Sequence, residues 1–167
     1  MKNIKIQLTR AKNAKSRGAQ IHIYTDGSCI GNPGPGGWAV IILNGAEQII
    51  LKGRNPETTN NRMEMTAIIE ALKWMTKNSV ERAEIFSDSN LLIQSLTKNW
   101  KRKKNKDLWS ELDKYLKGKV IQWTWVKGHA DDKYNKKADK IAFTESIKAK
   151  KMPQQTEEIK NIQQKLF

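Results

Sequence analysis

Asn44-Gly45 stands between two apolar runs, "GWAVIIL" and "EQIILKG", and that arrangement leaves the chain one natural course, an antiparallel hairpin. Just upstream, "IHIYTD" reads as a further strand that runs into an acid. The period then changes. In "TTNNRMEMTAIIEALKWMTKN", Met63, Ala67, Ala71 and Met75 fall on one helical stripe. "AEIFSDS" reads as a short strand that ends, like the first, in an acid. "NLLIQSL" and "DLWSELDKYLKG" read as helices, the second stopped by Gly118. "KVIQWTWV" alternates as a last strand, and "DDKYNKKADKIAFTESIKAK" follows as a last helix, broken from what comes next by Pro153. Three strands, a helix, a strand, helices, a strand and a helix make a mixed α/β domain.

Around that body, residues 1–18 are basic and acid-free and read as an arm outside the core, although "IKIQL" could pair as a strand and a transit peptide would have the same bias. Residues 19–149 form the expected domain. Residues 150–167 form a tail in which Ile159, Ile162 and Leu166 share a helical face, able to dock or to fray. The net charge of +14 points to a polyanionic partner. A single cysteine excludes an internal disulfide and any multi-cysteine metal site. The longest apolar run, Trp38 to Leu43, is too short to span a bilayer. The N-terminus lacks the apolar segment of a secretory signal. The expectation is a soluble cytoplasmic protein with no membrane partner, and nothing in the sequence demands more than a monomer.

Four acids stand at element ends or on adjoining helices: Asp26, Glu64, Asp88 and Asp139. If the strands ending at Asp26 and Asp88 are parallel neighbours, a crossover places both acids at one sheet edge, where open α/β sheets bind ligands. Carboxylates that converge raise one another's pKa, and divalent cations offset that cost. A pair of Mg²⁺ ions is the usual clamp for phosphodiester hydrolysis, with Mn²⁺ a possible substitute. The bland alternative is open for each acid alone, as a solvated surface group or cap, and Asp26 alone could open an Asx-turn.

On "YTDGSCIGNPGPGGW", "TTNNRMEM", "FSDS", "WTWVKGHA" and "KKADKIA", the chain resembles a type I ribonuclease H of the bacterial kind over roughly residues 20–146. The resemblance implies a five-stranded mixed sheet, its first three strands antiparallel, with helices on both faces. It implies endonucleolytic hydrolysis of the RNA strand of an RNA–DNA hybrid, leaving 3′-hydroxyl and 5′-phosphate ends. Asp26 would bridge two Mg²⁺ ions, Asp139 would help hold the ion that activates water, and Glu64 and Asp88 the ion beside the leaving 3′-oxygen. His129 would assist proton handling or product release, from a polar loop suited to it. Cys29, Asn32, Asn60, Asn61, Gln94, Trp100, Lys101 and Trp109 fall where the family contacts substrate. The glycines after Asp26 would let backbone approach the hybrid's wide minor groove. Asn60-Asn61 could equally serve as a helix N-cap.

Of the six tryptophans, Trp123 and Trp125 share a strand face and read as core, as do Trp38 and Trp74. Trp100 could stack on a sugar or cap a helix. The run "KNWKRKKNK" sits where many bacterial members carry a basic protrusion, but the segment between Trp100 and Trp109 is too short for the protrusion's helix. The N-terminal arm is then expected to supply part of the missing affinity. Two other readings compete with the hybrid nuclease: a non-catalytic hybrid-binding domain of the same fold, and a nuclease or recombinase acting on DNA junctions. Retention of all four acids argues against the first, and the hybrid-reading motifs argue against the second.

Overall fold

The computed structural model describes residues 20–98, 100–127 and 132–152. The basic arm, the tail beyond residue 152 and residues 128–131, with His129, lie outside them. The elements run β1 (His22–Cys29), β2 (Gly34–Asn44), β3 (Glu47–Thr58), α1 (Asn60–Lys77), β4 (Arg82–Ser87), α2 (Asn90–Thr97), α3 (Lys106–Leu116), β5 (Val120–Trp125) and α4 (Lys133–Lys150).

The strands form one sheet in the order β3-β2-β1-β4-β5. β1–β2 and β2–β3 pair antiparallel, whereas β1–β4 and β4–β5 pair parallel. The expected hairpin is present, shifted by one residue: Asn44 pairs with Glu47, so Gly45 and Ala46 make the turn, with Gly45 at φ 60°. A positive φ at the first of two turn residues suits glycine.

Burial explains why "WAVIIL" in β2 is apolar without alternation. Val40 and Ile42 pack with Ile68, Ile69 and Leu72 of α1, while Ala39 and Ile41 pack with Ala138 and Ala142 of α4. Successive side chains point to opposite faces, and here both faces are covered. The stripe Met63, Ala67, Ala71 and Met75 is buried as expected.

Three expectations need correction. Asp26 does not end β1, which continues to Cys29 and pairs Asp26 with Ala39. Trp125 is not core: it is 48% exposed, although Trp123 packs on the apolar cluster. The cap of α1 is Thr59, whose hydroxyl accepts from the Arg62 amide, rather than the Asn60-Asn61 pair that follows it.

Candidate active site

The register of the parallel strands builds the site. Thr25 of β1 is the last residue paired with β4, opposite Ser87, the last residue of β4. Asp26 and Asp88 each follow at the next position, so the two acids stand at one level. β1 runs on past them only because β2 remains as a partner on its other side.

α1 delivers the third acid. Asp26, Glu64 and Asp88 each offer a carboxylate oxygen within 4.8 Å of the others. Asp26 and Glu64 are buried, at 3% and 4% exposure, and Asp88 is half-buried. Glu64 Oε2 has no hydrogen-bond partner. Burial, then the charges of Asp88 and Asp139, push Asp26 up to about 8. Burial and the charges of Asp26 and Asp88 raise Glu64 well above the carboxylate range. Asp139 lies outside the three-acid cluster on the exposed side of α4, close enough for its charge to act on Asp26. A buried, oxygen-only donor set with an orphaned oxygen fits hard divalent cations such as Mg²⁺.

Close approach of the backbones makes this convergence possible. A Cβ on Gly27 would sit 2.5 Å from the Met63 carbonyl carbon and closer still to the Glu64 nitrogen. One on Gly37 would lie 2.5 Å from the Ser146 nitrogen of α4. Gly27 and Gly37 lack side chains where α1 and α4 press on the strands. At these two positions the structure gives the glycines an internal reason as well, contact with α1 and α4.

α4 is fixed at both ends. At its start Asp132 accepts from the amides of Tyr134 and Asn135, both at 2.9 Å. Tyr24, two residues before Asp26, stacks on Phe86 at 4.5 Å and meets Tyr134 at 5.3 Å. Burial and the neighbouring Asp132 push the Tyr24 hydroxyl up to about 12. Farther along, the buried Glu145 receives Lys148 at 2.9 Å, Arg54 at 3.6 Å and Lys52 at 3.7 Å. Burial alone would raise the Glu145 carboxyl, but these cations bring it below its usual value.

The expected substrate contacts divide into groups. Asn32 Oδ1 accepts from the Asn60 amide at 2.9 Å, which ties the β1–β2 turn to the start of α1. Cys29 Sγ lies 3.5 Å from both the Gly34 and Thr58 carbonyl oxygens in the same corner. Asn61 joins Lys101 and Trp109 on a second feature, a cavity of about 250 Å³ floored by Met65, Leu91 and Leu92. Gln94 donates to Asn90 Oδ1 at 3.2 Å, and its own Oε1 is buried without a partner. Trp100 is 47% exposed.

Trp109 is the residue that moves most from its expected part. It is only 8% exposed and belongs to the apolar core, leaving its edge to the cavity. Arg102 covers it at 4.0 Å and meets Asp113 at 2.7 Å. The short basic connection is therefore folded back onto α3, a role for Arg102 that a run of like charges does not reveal. Arg102→Ala is expected to lower the Tm by about 2–4 °C, mainly through lost stacking, with Lys rescuing only in part. Thermal melts of the three proteins check this. Two further contacts were not legible in the sequence. Arg62 bonds Asp107 at 2.7 Å, locking α1 to α3, and Trp125 Nε1 donates to the Asp88 carbonyl at 3.1 Å.

A model of the RNase H family matches residues 18–147. The chain is 40% identical over 142 residues to a ribonuclease H of Ehrlichia ruminantium, covering 77% of this chain and 96% of that one. It is 44% identical over 135 residues to a ribonuclease H of a Bradyrhizobium species, covering 73% and 86%. Among solved structures it is similar to LC11-RNase H1 in complex with RNA/DNA hybrid, with TM-score 0.68 and 26% identity over 78% of this chain and 99% of that one. LC9-RNase H1, a type 1 RNase H with the type 2 active-site motif, gives TM-score 0.71 and 27% identity over 81% and 76%.

Proposed function

Since this chain belongs to the RNase H family and is a ribonuclease H, we propose that it cuts the RNA strand of RNA–DNA hybrids internally, with two Mg²⁺ ions held by Asp26, Glu64, Asp88 and Asp139. The observation that carries this reading is the convergence of three carboxylates, two of them buried, around an orphaned Glu64 oxygen. Such a site is unfavourable until positive charge enters it. The bound cations would supply charge neutralisation at the reacting phosphate and a more acidic water.

The residues of the chain do the rest. Asp26, which interacts with each of the other acids, would help hold the cations. Asp139 would orient the attacking water from the α4 side, and Glu64 and Asp88 would face the leaving group. A water oxygen bonds to phosphorus as the bond to the 3′-oxygen breaks. The 3′-oxygen leaves protonated and the phosphate stays on the 5′ side. His129, which precedes α4 in sequence, is the candidate for handling that proton. Asn32, Asn60 and Asn61 line the approach with amides that both donate and accept, suited to 2′-hydroxyls and base edges. Lys101 beside the cavity would meet the phosphates of the DNA strand. The reading is of a monomer acting in the cytoplasm; among the described residues no helix is long and apolar enough to cross a membrane.

The test uses a labelled hybrid with Mg²⁺ or chelator, RNA–RNA and DNA–DNA duplexes, and Asp88→Asn. Metal-dependent cutting of the RNA strand alone is expected, reduced in the variant by about 10³-fold or more, with binding largely retained. Binding without cutting by the parent protein would support a non-catalytic hybrid-binding domain instead. Cutting of DNA duplexes or junctions would move the assignment to the recombinase side.

A further inference from the structure

The solvent face of α4 carries a charge pattern that the catalytic site does not use. At 3.6 residues per turn, Lys133, Lys136, Lys137, Lys140, Lys148 and Lys151 all fall within roughly 120° of the helix circumference. No acid falls in that sector: Asp139 and Glu145 lie on its two flanks, Glu145 buried against β3. The lysines are half-exposed or exposed.

Local stability does not explain this arrangement. Like charges at i,i+4, as in Lys133–Lys137 and Lys136–Lys140, weaken a helix. Cations in the first turn oppose the helix dipole, and α4 has no acid there. Packing does not require them either, because the buried face of α4 is Ala138, Ala142, Ser146 and Ala149. Lys148 has a structural part through Glu145, and Lys133 lies 5.6 Å from the Tyr134 ring. Lys136, one turn before Asp139, stands on the edge of the sector nearest that carboxylate, so a strand reaching Asp139 can continue onto the lysine face.

We propose that the lysine face of α4 is a second nucleic-acid contact, gripping the phosphodiester backbone of the duplex flanking the cleavage point. The inference rests on the hybrid-cleaving reading. Charge complementarity selects the occupant: Lys133, Lys136, Lys137 and Lys140 cluster over the first two turns, with Lys148 and Lys151 about 12 Å or more farther along the same side, a cationic surface that matches the sign of a phosphate backbone. The contact is sequence-independent and lies apart from the Lys101–Lys104 connection on the other side of the sheet. It gives a use to part of the net charge of +14.

The experiment compares the full chain with a Lys133→Gln, Lys137→Gln, Lys140→Gln variant, after circular dichroism and melting show that both are folded. Hybrids of about 10 and about 30 base pairs are used at constant Mg²⁺ over a range of KCl. Each neutralised phosphate contact changes the slope of log affinity against log salt by about 0.9, so the variant's slope should be shallower by about 2–3 on the long hybrid. The short hybrid should be cut at an unchanged rate. An unchanged slope on both lengths overturns the proposal. So does loss of cutting on the short hybrid, which would put these lysines in the catalytic groove. If the parent cuts neither hybrid, the proposed activity fails, while the slope for binding still decides the α4 contact.

Discussion

Asp26→Asn should abolish hydrolysis and, without divalent cations at pH 8, melt at a higher temperature than the parent. Asp26 interacts electrostatically with each of the other three acids, Glu64, Asp88 and Asp139. Replacing it removes a metal ligand but leaves the packing of an isosteric side chain, so turnover should fall by about 10³-fold or more. The stability gain follows from linkage. With a folded-state pKa of about 8 against 3.8 for a free carboxyl, the native state binds a proton that the unfolded chain has released. That contribution is complete below about pH 4 and is lost as the pH rises through about 8, so the metal-free parent weakens over this range.

Asn carries no charge to bury. The expected difference at pH 8 is about 2 kcal/mol, or about 4–8 °C, part of the full shift being shared with Glu64. Mg²⁺ should raise the parent's Tm at that pH and leave the variant's nearly unchanged. Melting curves at pH 5 and pH 8, with chelator or Mg²⁺, read all of this. A variant no more stable than the parent at pH 8 would mean that the acids are already neutralised by something other than cations.

Gly27→Ala should do the opposite, costing about 3 kcal/mol or more and lowering the Tm by about 6–12 °C. The added methyl meets backbone of Met63 and Glu64, which cannot swing aside as a side chain could. Relief requires α1 to move off β1, and that movement also takes Glu64 from Asp26. Activity should therefore fall by more than the unfolded fraction accounts for, and the half-saturating Mg²⁺ concentration should rise. Denaturant melts together with a Mg²⁺ titration of the folded fraction separate the two effects. A stable Gly27→Ala protein with normal Mg²⁺ dependence would show that the approach of α1 to β1 is not what assembles the site.

Much of this was legible before any coordinates. Each element was readable because its signal is local: the period change after Thr58, the stop at Gly118, the alternation of "KVIQWTWV". The three acids that the structure brings together, Asp26, Glu64 and Asp88, were legible too, because strand ends and the recognisable motifs mark them. Where local signals misled, a neighbour in space decided the matter. β1 outruns Asp26 because β2 continues to pair with it. Thr59 rather than Asn60-Asn61 caps α1, since the cap depends on which residue departs from helical geometry first. Trp125 lies open at the end of β5, while Trp109 is shut in by α1, α2 and Arg102.

The sequence by itself determined the order of elements, the antiparallel hairpin, the identity of the acids and the sign of the molecule's field, all properties carried by neighbouring residues or by simple sums. Only the tertiary structure decided that Thr25 meets Ser87, and hence that Asp26 and Asp88 stand level. It alone decided that the missing side chains at Gly27 and Gly37 make room for α1 and α4, and that six lysines share one open face. Register, close approach and exposure depend on distances between segments far apart in the chain, and no local pattern of residues encodes a distance.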